Sequence, residues 1–335
     1  MTAVRETESC SVTEFHDDVV PAGQPLIMRG LVRHWPVVHA ADRSNSALFD
    51  YLRRFDAGHA VTTMLASQSS NGRFFYNEDL TGFNFRNSTA PLRSVFEILA
   101  DASGDADRGV LAVQSVPTRA ALPGFEQDNP FPLLGGAVEP RIWIGNAAIV
   151  AAHHDPSENI ACVTAGHRRF TLFPPDQVAN LYMGPFELTP AGATISMVDF
   201  DNPDLERFPR FSEAMGNAQV ADLEPGDALY IPYLWWHHVR AFDKINMLVN
   251  FWWAPHSQNR GAPRDAFLHA MLALRALPEN HRAAWRAMFE HYVFQNDTPL
   301  ADHLPEDRRG MLGNLSRDDI RRIRESLSRT LARSN

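Results

Sequence analysis

The chain has 335 residues, enough for one large domain with an appendage or for two domains. With 44% hydrophobic and 21% charged residues it can bury a real core, so a disordered or low-complexity chain is excluded. The formal charge of -9, from 40 acidic and 31 basic residues, repels phosphate, so nucleic acid and anionic membrane surfaces are poor general partners.

At the N-terminus, MTAVRETESCSVTEF is polar and carries no hydrophobic signal segment. No apolar run approaches the roughly 20 residues that span a bilayer. Cys10 and Cys162 are far apart and fit no zinc spacing. A reduced, cytoplasmic protein is expected.

Three textures follow along the chain. Up to about residue 110, short apolar runs alternate with helix-like stretches. Pro25–Gly30 reads as a buried strand ending at a glycine, His34-Trp35-Pro36 as a turn, and Ser94–Leu99 as a short helix. From about 110 to 254, short runs rich in β-branched and aromatic residues are punctuated by turn signals. They are Gly109–Gln114, Arg141–Gly145, Arg169–Phe173, Ala228–Ile231 and Asn246–Trp252, with Pro174-Pro175, Glu224-Pro-Gly-Asp227 and Pro232 between them. Many short strands without long intervening helices predict a sandwich or double-sheet barrel.

After about 260 the period turns helical. Trp285, Met288, Phe289, Tyr292 and Val293 fall on one stripe, and Ile320, Ile323 and Leu327 on another. Ser316 with Asp319 three residues on is a candidate capping box. These helices either pack on the barrel or form a dimerisation element.

The chemistry concentrates in two histidine-rich motifs. In Ala151-Ala-His153-His-Asp155 a histidine and a carboxylate stand two residues apart. On a strand, such residues share one face, so His153 and Asp155 would point into the barrel and His154 away. One imidazole and one carboxylate are two members of a facial triad, which leaves room for a bidentate cosubstrate and O2. A third ligand is expected from a later strand, and Trp235-Trp-His237-His238 offers two candidates between which spacing does not choose. Arg168 or Arg169, on the strand after H-x-D, can grip a carboxylate in a bidentate way.

Taken together, Trp143-Ile-Gly145, His153-His-Asp155, Asn159, Gly166-His-Arg168, Leu172–Gln177, Val198–Asp204, Glu206–Pro209, Pro225-Gly-Asp227, Leu229–Pro232, Trp235–His238 and Val249–Trp252 form a collinear set over residues 141–252. In this the sequence resembles the cupin-like JmjC 2-oxoglutarate oxygenases, above all their asparaginyl-hydroxylase branch. The resemblance implies a mainly-β, double-stranded β-helix (jelly-roll) core with flanking helices over residues 1–257. A helical C-terminal region, 258–335, and a homodimer built on it would follow.

The resemblance also implies Fe(II) held by His153, Asp155 and His238, with no catalytic residue beyond these ligands. 2-Oxoglutarate would be bound by Arg168, Asn159, Asn250 and Trp252, with O2 as the other cosubstrate. Arg168 stands where the family has lysine. The family's carboxylate-binding tyrosine falls at Leu111 or Ala112, and His154 replaces a tyrosine inside H-x-D. Trp143, Trp235 and Trp252 are candidates for an apolar shield. The expected reaction is hydroxylation of a C–H bond in a protein or peptide side chain. A small molecule, an N-methyl group, a tRNA base, or a metal-binding cupin that does not use 2-oxoglutarate are the alternatives.

Overall fold

The structure is a computed structural model that describes residues 1–102, 109–254, 260–295 and 300–333. Contacts divide the chain into two compact units, Met1–Ala254 and Pro255–Asn335. The domain boundary expected at residue 257 lies outside the described residues.

In chain order the first unit's strands begin with β1 Thr2–Ala3, β2 Arg5–Thr7, β3 Leu26–Met28, β4 Ala60–Ala66 and β5 Arg73–Phe74. They continue with β6 Phe85–Pro91, β7 Val110–Pro117, β8 Pro140–Gly145, β9 Ile149–His153 and β10 Glu158–Ala165. The last are β11 Arg168–Phe173, β12 Gln219–Leu223, β13 Ala228–Ile231, β14 Trp236–Ala241 and β15 Asn246–Trp253. One sheet runs in the order β1-β12-β11-β14-β9-β5, the other β2-β3-β13-β10-β15-β8-β7-β4-β6. The short strands predict a sandwich or double-sheet barrel, and the mainly-β pair of sheets agrees with it and with the jelly-roll that the resemblance implies.

Alternation along the strands sorts the side chains into two layers. Phe170 and Leu172 of β11 and Val239 of β14 meet Ala161, Val163, Leu229, Ile231 and Leu248 of the opposite sheet, and fill the inside of the barrel. The neighbouring positions, such as Ile142, Ile144, Ile160, Cys162 and Val249, point outward. They are covered by the helices Pro36–Arg43, Asn45–Arg53 and Leu92–Ala102 through Val37, Val38, Leu48, Phe49, Val95, Phe96 and Leu99. Each side chain fully buried in this way contributes about 1.5–3 kcal/mol. The stretch Ser94–Leu99 is therefore part of a longer helix. Trp35-Pro36 opens a helix as well as turning the chain, because proline's fixed φ suits the first helical turn.

Two turns set the strands that carry the site. Gly166, at φ +72°, reverses the chain between β10 and β11; a Cβ there would lie 2.7 Å from the Ile245 carbonyl oxygen, so only glycine fits. Asp227, in the Pro-Gly-Asp turn before β13, accepts from the Gly30 N–H at 2.9 Å and from Arg29 at 2.7 Å, tying that turn to the end of β3.

The second unit contains the helices Pro263–Leu274, Glu279–Phe289 and Arg317–Arg333, none of which buries a residue. The Ser316–Asp319 box forms: the Asp319 N–H donates to Ser316 Oγ at 3.2 Å and the Ser316 N–H to Asp319 Oδ2 at 3.1 Å. Among the described residues no helix is long and apolar enough to cross a membrane.

Candidate metal centre

β9 ends at His153, and Asp155 follows two residues beyond it. β14 lies beside β9, with His237 directly opposite His153. Ligand atoms of His153, Asp155 and His237 all fall within 4.8 Å of one another. The two imidazoles stand 4.2 Å apart between centroids, and His237 Nε2 lies 3.6 Å from Asp155 Oδ2.

The backbone prepares both rings for a cation. His153 Nδ1 is 2.9 Å from the Ala151 carbonyl oxygen and His237 Nδ1 is 3.1 Å from that of Trp235. A carbonyl only accepts, so each Nδ1 carries a proton, and in the neutral ring that tautomer leaves the Nε2 lone pair for a metal. Burial, then the neighbouring His153, pushes the His237 imidazolium down to about 4, so this ring is neutral at physiological pH. Two imidazoles and one carboxylate facing each other are the donor set of a divalent transition metal.

The structure corrects the third member of the set. His238, expected as the ligand, is not brought to the cluster; His237 takes that place. The reason is the two-residue period of β14. His237, Val239 and Ala241 share the inner face, while Trp236, His238 and Arg240 share the outer one. His238 there lies flat on Phe200, with centroids 4.4 Å apart and planes 11° from parallel. Burial, then Arg73 and Arg240, pushes it down to about 3, so it too is neutral. The signal was present in the sequence: Arg240 must reach solvent, and His238 shares its parity. His154 turns away from the cluster as the alternation predicts and meets Trp236 edge-on at 4.5 Å.

The cluster opens into a cavity of about 110 Å³, lined also by Arg168, Asn159, Asn250, Trp143, Trp252 and Gln114. That is far below the roughly 300–1,000 Å³ of sites for drug-sized ligands, so its occupant is small. Arg168 starts β11 on the same face as Phe170 and Leu172. Its Nε is buried without a hydrogen-bond partner among the described residues, and burial pushes the guanidinium down to about 10. Trp252 Nε1 is a second buried donor without a partner among the described residues. Two such donors in one small cavity fit an anionic occupant.

Trp235 is no part of this lining; it packs in the barrel interior and donates to the Gly23 carbonyl oxygen at 3.1 Å. Leu111 joins the outer core and Ala112 packs beside Met64 and Phe74. The polar side chain that β7 offers the cavity is Gln114, two residues beyond Ala112. Pro190, Ala191, Ala193 and Ile195 complete the lining. Their loop is closed at its neck by Gly184 N–H donating to the Ile195 carbonyl oxygen, and pinned by Tyr76 Oη donating to that of Leu188, both at 2.8 Å.

A family model described as a cupin-like domain matches residues 12–259. The chain belongs to the cupin-like domain family. Relatives of this cupin-like chain carry the JmjC name: it is 27% identical over 75% of its length to Jumonji C domain-containing protein 5 of Drosophila melanogaster. It is 27% identical over 76% of its length to lysine-specific demethylase 8 of Xenopus tropicalis. The matched parts span 59% and 53% of those two proteins, so the chain covers little more than half of either. It is also 29% identical to human bifunctional peptidase and (3S)-lysyl hydroxylase JMJD7, over 71% of this chain and 80% of that protein.

Proposed function

We propose that this cupin-like chain is an Fe(II)- and 2-oxoglutarate-dependent oxygenase that hydroxylates a C–H bond of a protein side chain. The observation that carries this is one small cavity holding both the His153–Asp155–His237 cluster and the unpartnered Arg168. A metal cluster alone fits many cupins. A buried cation facing the same space is what a dicarboxylate cosubstrate needs.

His153, Asp155 and His237 would hold the iron, through the two Nε2 atoms and a carboxylate oxygen. Arg168 would bind the far carboxylate of 2-oxoglutarate, with Trp252 Nε1 and the amides of Asn159 and Asn250 along the cavity wall. Bound iron and 2-oxoglutarate supply the activation of O2 and the insertion of one oxygen atom into a C–H bond, with succinate and CO2 as coproducts. Phe170, Val239 and Leu248 exclude water from the inner wall. Asp155→Ala should abolish iron-dependent succinate formation from 2-oxoglutarate, and full turnover by that variant would sink the assignment.

The names of the relatives point to lysine side chains, once as hydroxylation and once as demethylation. Both begin with hydroxylation of a C–H bond, so the same site serves either. Product mass spectrometry on candidate proteins separates a gained oxygen from a lost methylene. Both cysteines are free thiols, which suits a reducing, cytoplasmic setting. A second copy of the chain covers the exposed stripe of the C-terminal unit, giving a homodimer.

A further inference from the structure

We propose that Trp143 is a positioning residue for the metal centre, acting on Asp155 through the side-chain amides of Asn250 and Asn159. The proposal rests on the metal site described above. Trp143 Nε1 donates to Asn250 Oδ1 at 2.8 Å. Asn250 Nδ2 donates to Asn159 Oδ1 at 3.3 Å, and Asn159 Nδ2 to Asp155 Oδ2 at 3.4 Å. Three links thus lead from an indole on β8, across β15 and β10, to the carboxylate of the cluster.

The strand register builds this staircase. Trp143 stands opposite Leu248, so Asn250, two residues along β15, is its diagonal neighbour on the inner face. Asn159 stands opposite Trp252 and is the diagonal neighbour of Asn250 in turn. Diagonal pairs lie roughly 7–8 Å apart, within reach of large and amide side chains.

The polarity of the chain follows from its two ends. An indole N–H can only donate, and an ionised carboxylate can only accept. With those ends fixed, each asparagine has one self-consistent orientation, oxygen toward Trp143 and nitrogen toward Asp155. Without the indole N–H, Asn250 gains nothing by keeping its oxygen there. Either amide is then free to turn over, and a reversed Asn159 would set its oxygen against Asp155 Oδ2. In a buried site each bond also polarises the next, so the first donor strengthens the last contact. Asn250 and Asn159 are both buried, so water does not substitute readily. Held by this amide, the carboxylate is fixed in direction, with Oδ2 3.6 Å from His237 Nε2. Groups that orient a metal's ligands in this way typically contribute 10–100-fold to metal affinity.

The test is a titration of the full chain with Co(II) alone, followed by calorimetry and by the visible spectrum of the bound ion. Trp143→Phe, which keeps an aromatic ring and removes the N–H, should bind Co(II) about 10–100-fold more weakly. Its spectrum should shift as the Asp155 contact changes, which a change in stability alone would not produce. In a double-mutant cycle the Trp143→Phe, Asn250→Leu double variant should bind no more weakly than Asn250→Leu, because both break one chain.

Wild-type affinity in Trp143→Phe, or additive losses in the cycle, would overturn the relay while leaving the metal site intact. An Asp155→Ala variant that binds Co(II) as tightly as wild type would overturn the metal site and the relay together. Should circular dichroism show Trp143→Phe misfolded, Asn250→Leu alone carries the test. It breaks the same chain without touching Asp155, and undiminished affinity there overturns the proposal.

Discussion

The apolar residues of the two units have opposite fates. In the first unit, alternation places Phe170, Leu172, Val239 and Leu248 inside a barrel and Ile142, Ile160 and Val249 under helices, and all of them are buried. In the second, Trp285, Met288 and Val293 follow a helical period just as faithfully, yet they are 47%, 49% and 58% exposed. Periodicity thus tells which residues share a face, and not what covers that face. In the barrel the cover is supplied within the chain, so the period fixes direction down to single residues. In the C-terminal unit it fixes a stripe and no more.

The hardest blow to the barrel side of this contrast falls on the two adjacent histidines. Alternation gives them different jobs, so His237→Ala should weaken divalent-metal binding by more than about 100-fold, beyond what an orienting group alone contributes. His238→Ala should leave metal affinity within a few-fold of wild type. It loses the stack on Phe200, a contact of a kind worth about 0.5–1.5 kcal/mol, and should show that loss in its unfolding midpoint. Parallel metal titrations and denaturant melts check both. Equal metal loss in the two variants would mean that parity along β14 does not decide the ligand.

A smaller effect is expected at the far end of the cavity. Arg168→Met removes the cation while keeping much of the apolar stem. A hydrogen bond to a charged group contributes about 1.5–3 kcal/mol, so the KM for 2-oxoglutarate should rise roughly 10- to 150-fold. Metal affinity measured without cosubstrate should stay put. An unchanged KM would remove Arg168 from the cosubstrate site and would leave its buried, unpartnered Nε without a purpose.

These residues also show what was legible in the sequence. His153 and Asp155 could be paired from an i, i+2 spacing because one face of that strand is inside. The same alternation selects His237, because Arg240, three residues on, must reach solvent and shares the parity of His238, whereas the family resemblance pointed to His238. β10 escaped notice because both its faces are covered, so every residue is buried and no alternation survives. β4 and β6 escaped because their exposed positions dilute the apolar signal at the edge of the large sheet. Trp143 was legible only as an apolar body. Its donor role depends on Asn250 standing diagonally across β15, a register that no local pattern states.

The mildest substitutions address the stripe whose cover lies outside the unit. Trp285, Met288 and Val293 are exposed in one chain, and a second copy would bring the same apolar stripe to meet them, as a self-complementary two-fold contact requires. Trp285→Glu combined with Met288→Glu should then leave the unfolding midpoint nearly unchanged, because exposed substitutions usually shift stability by no more than about 0.5 kcal/mol. Light scattering should nevertheless fall from twice the 37.6 kDa of one chain to that of a monomer. Four buried carboxylates, two from each chain, would make the paired state untenable without disturbing either fold. A wild-type chain that scatters as a stable monomer would end the dimer proposal.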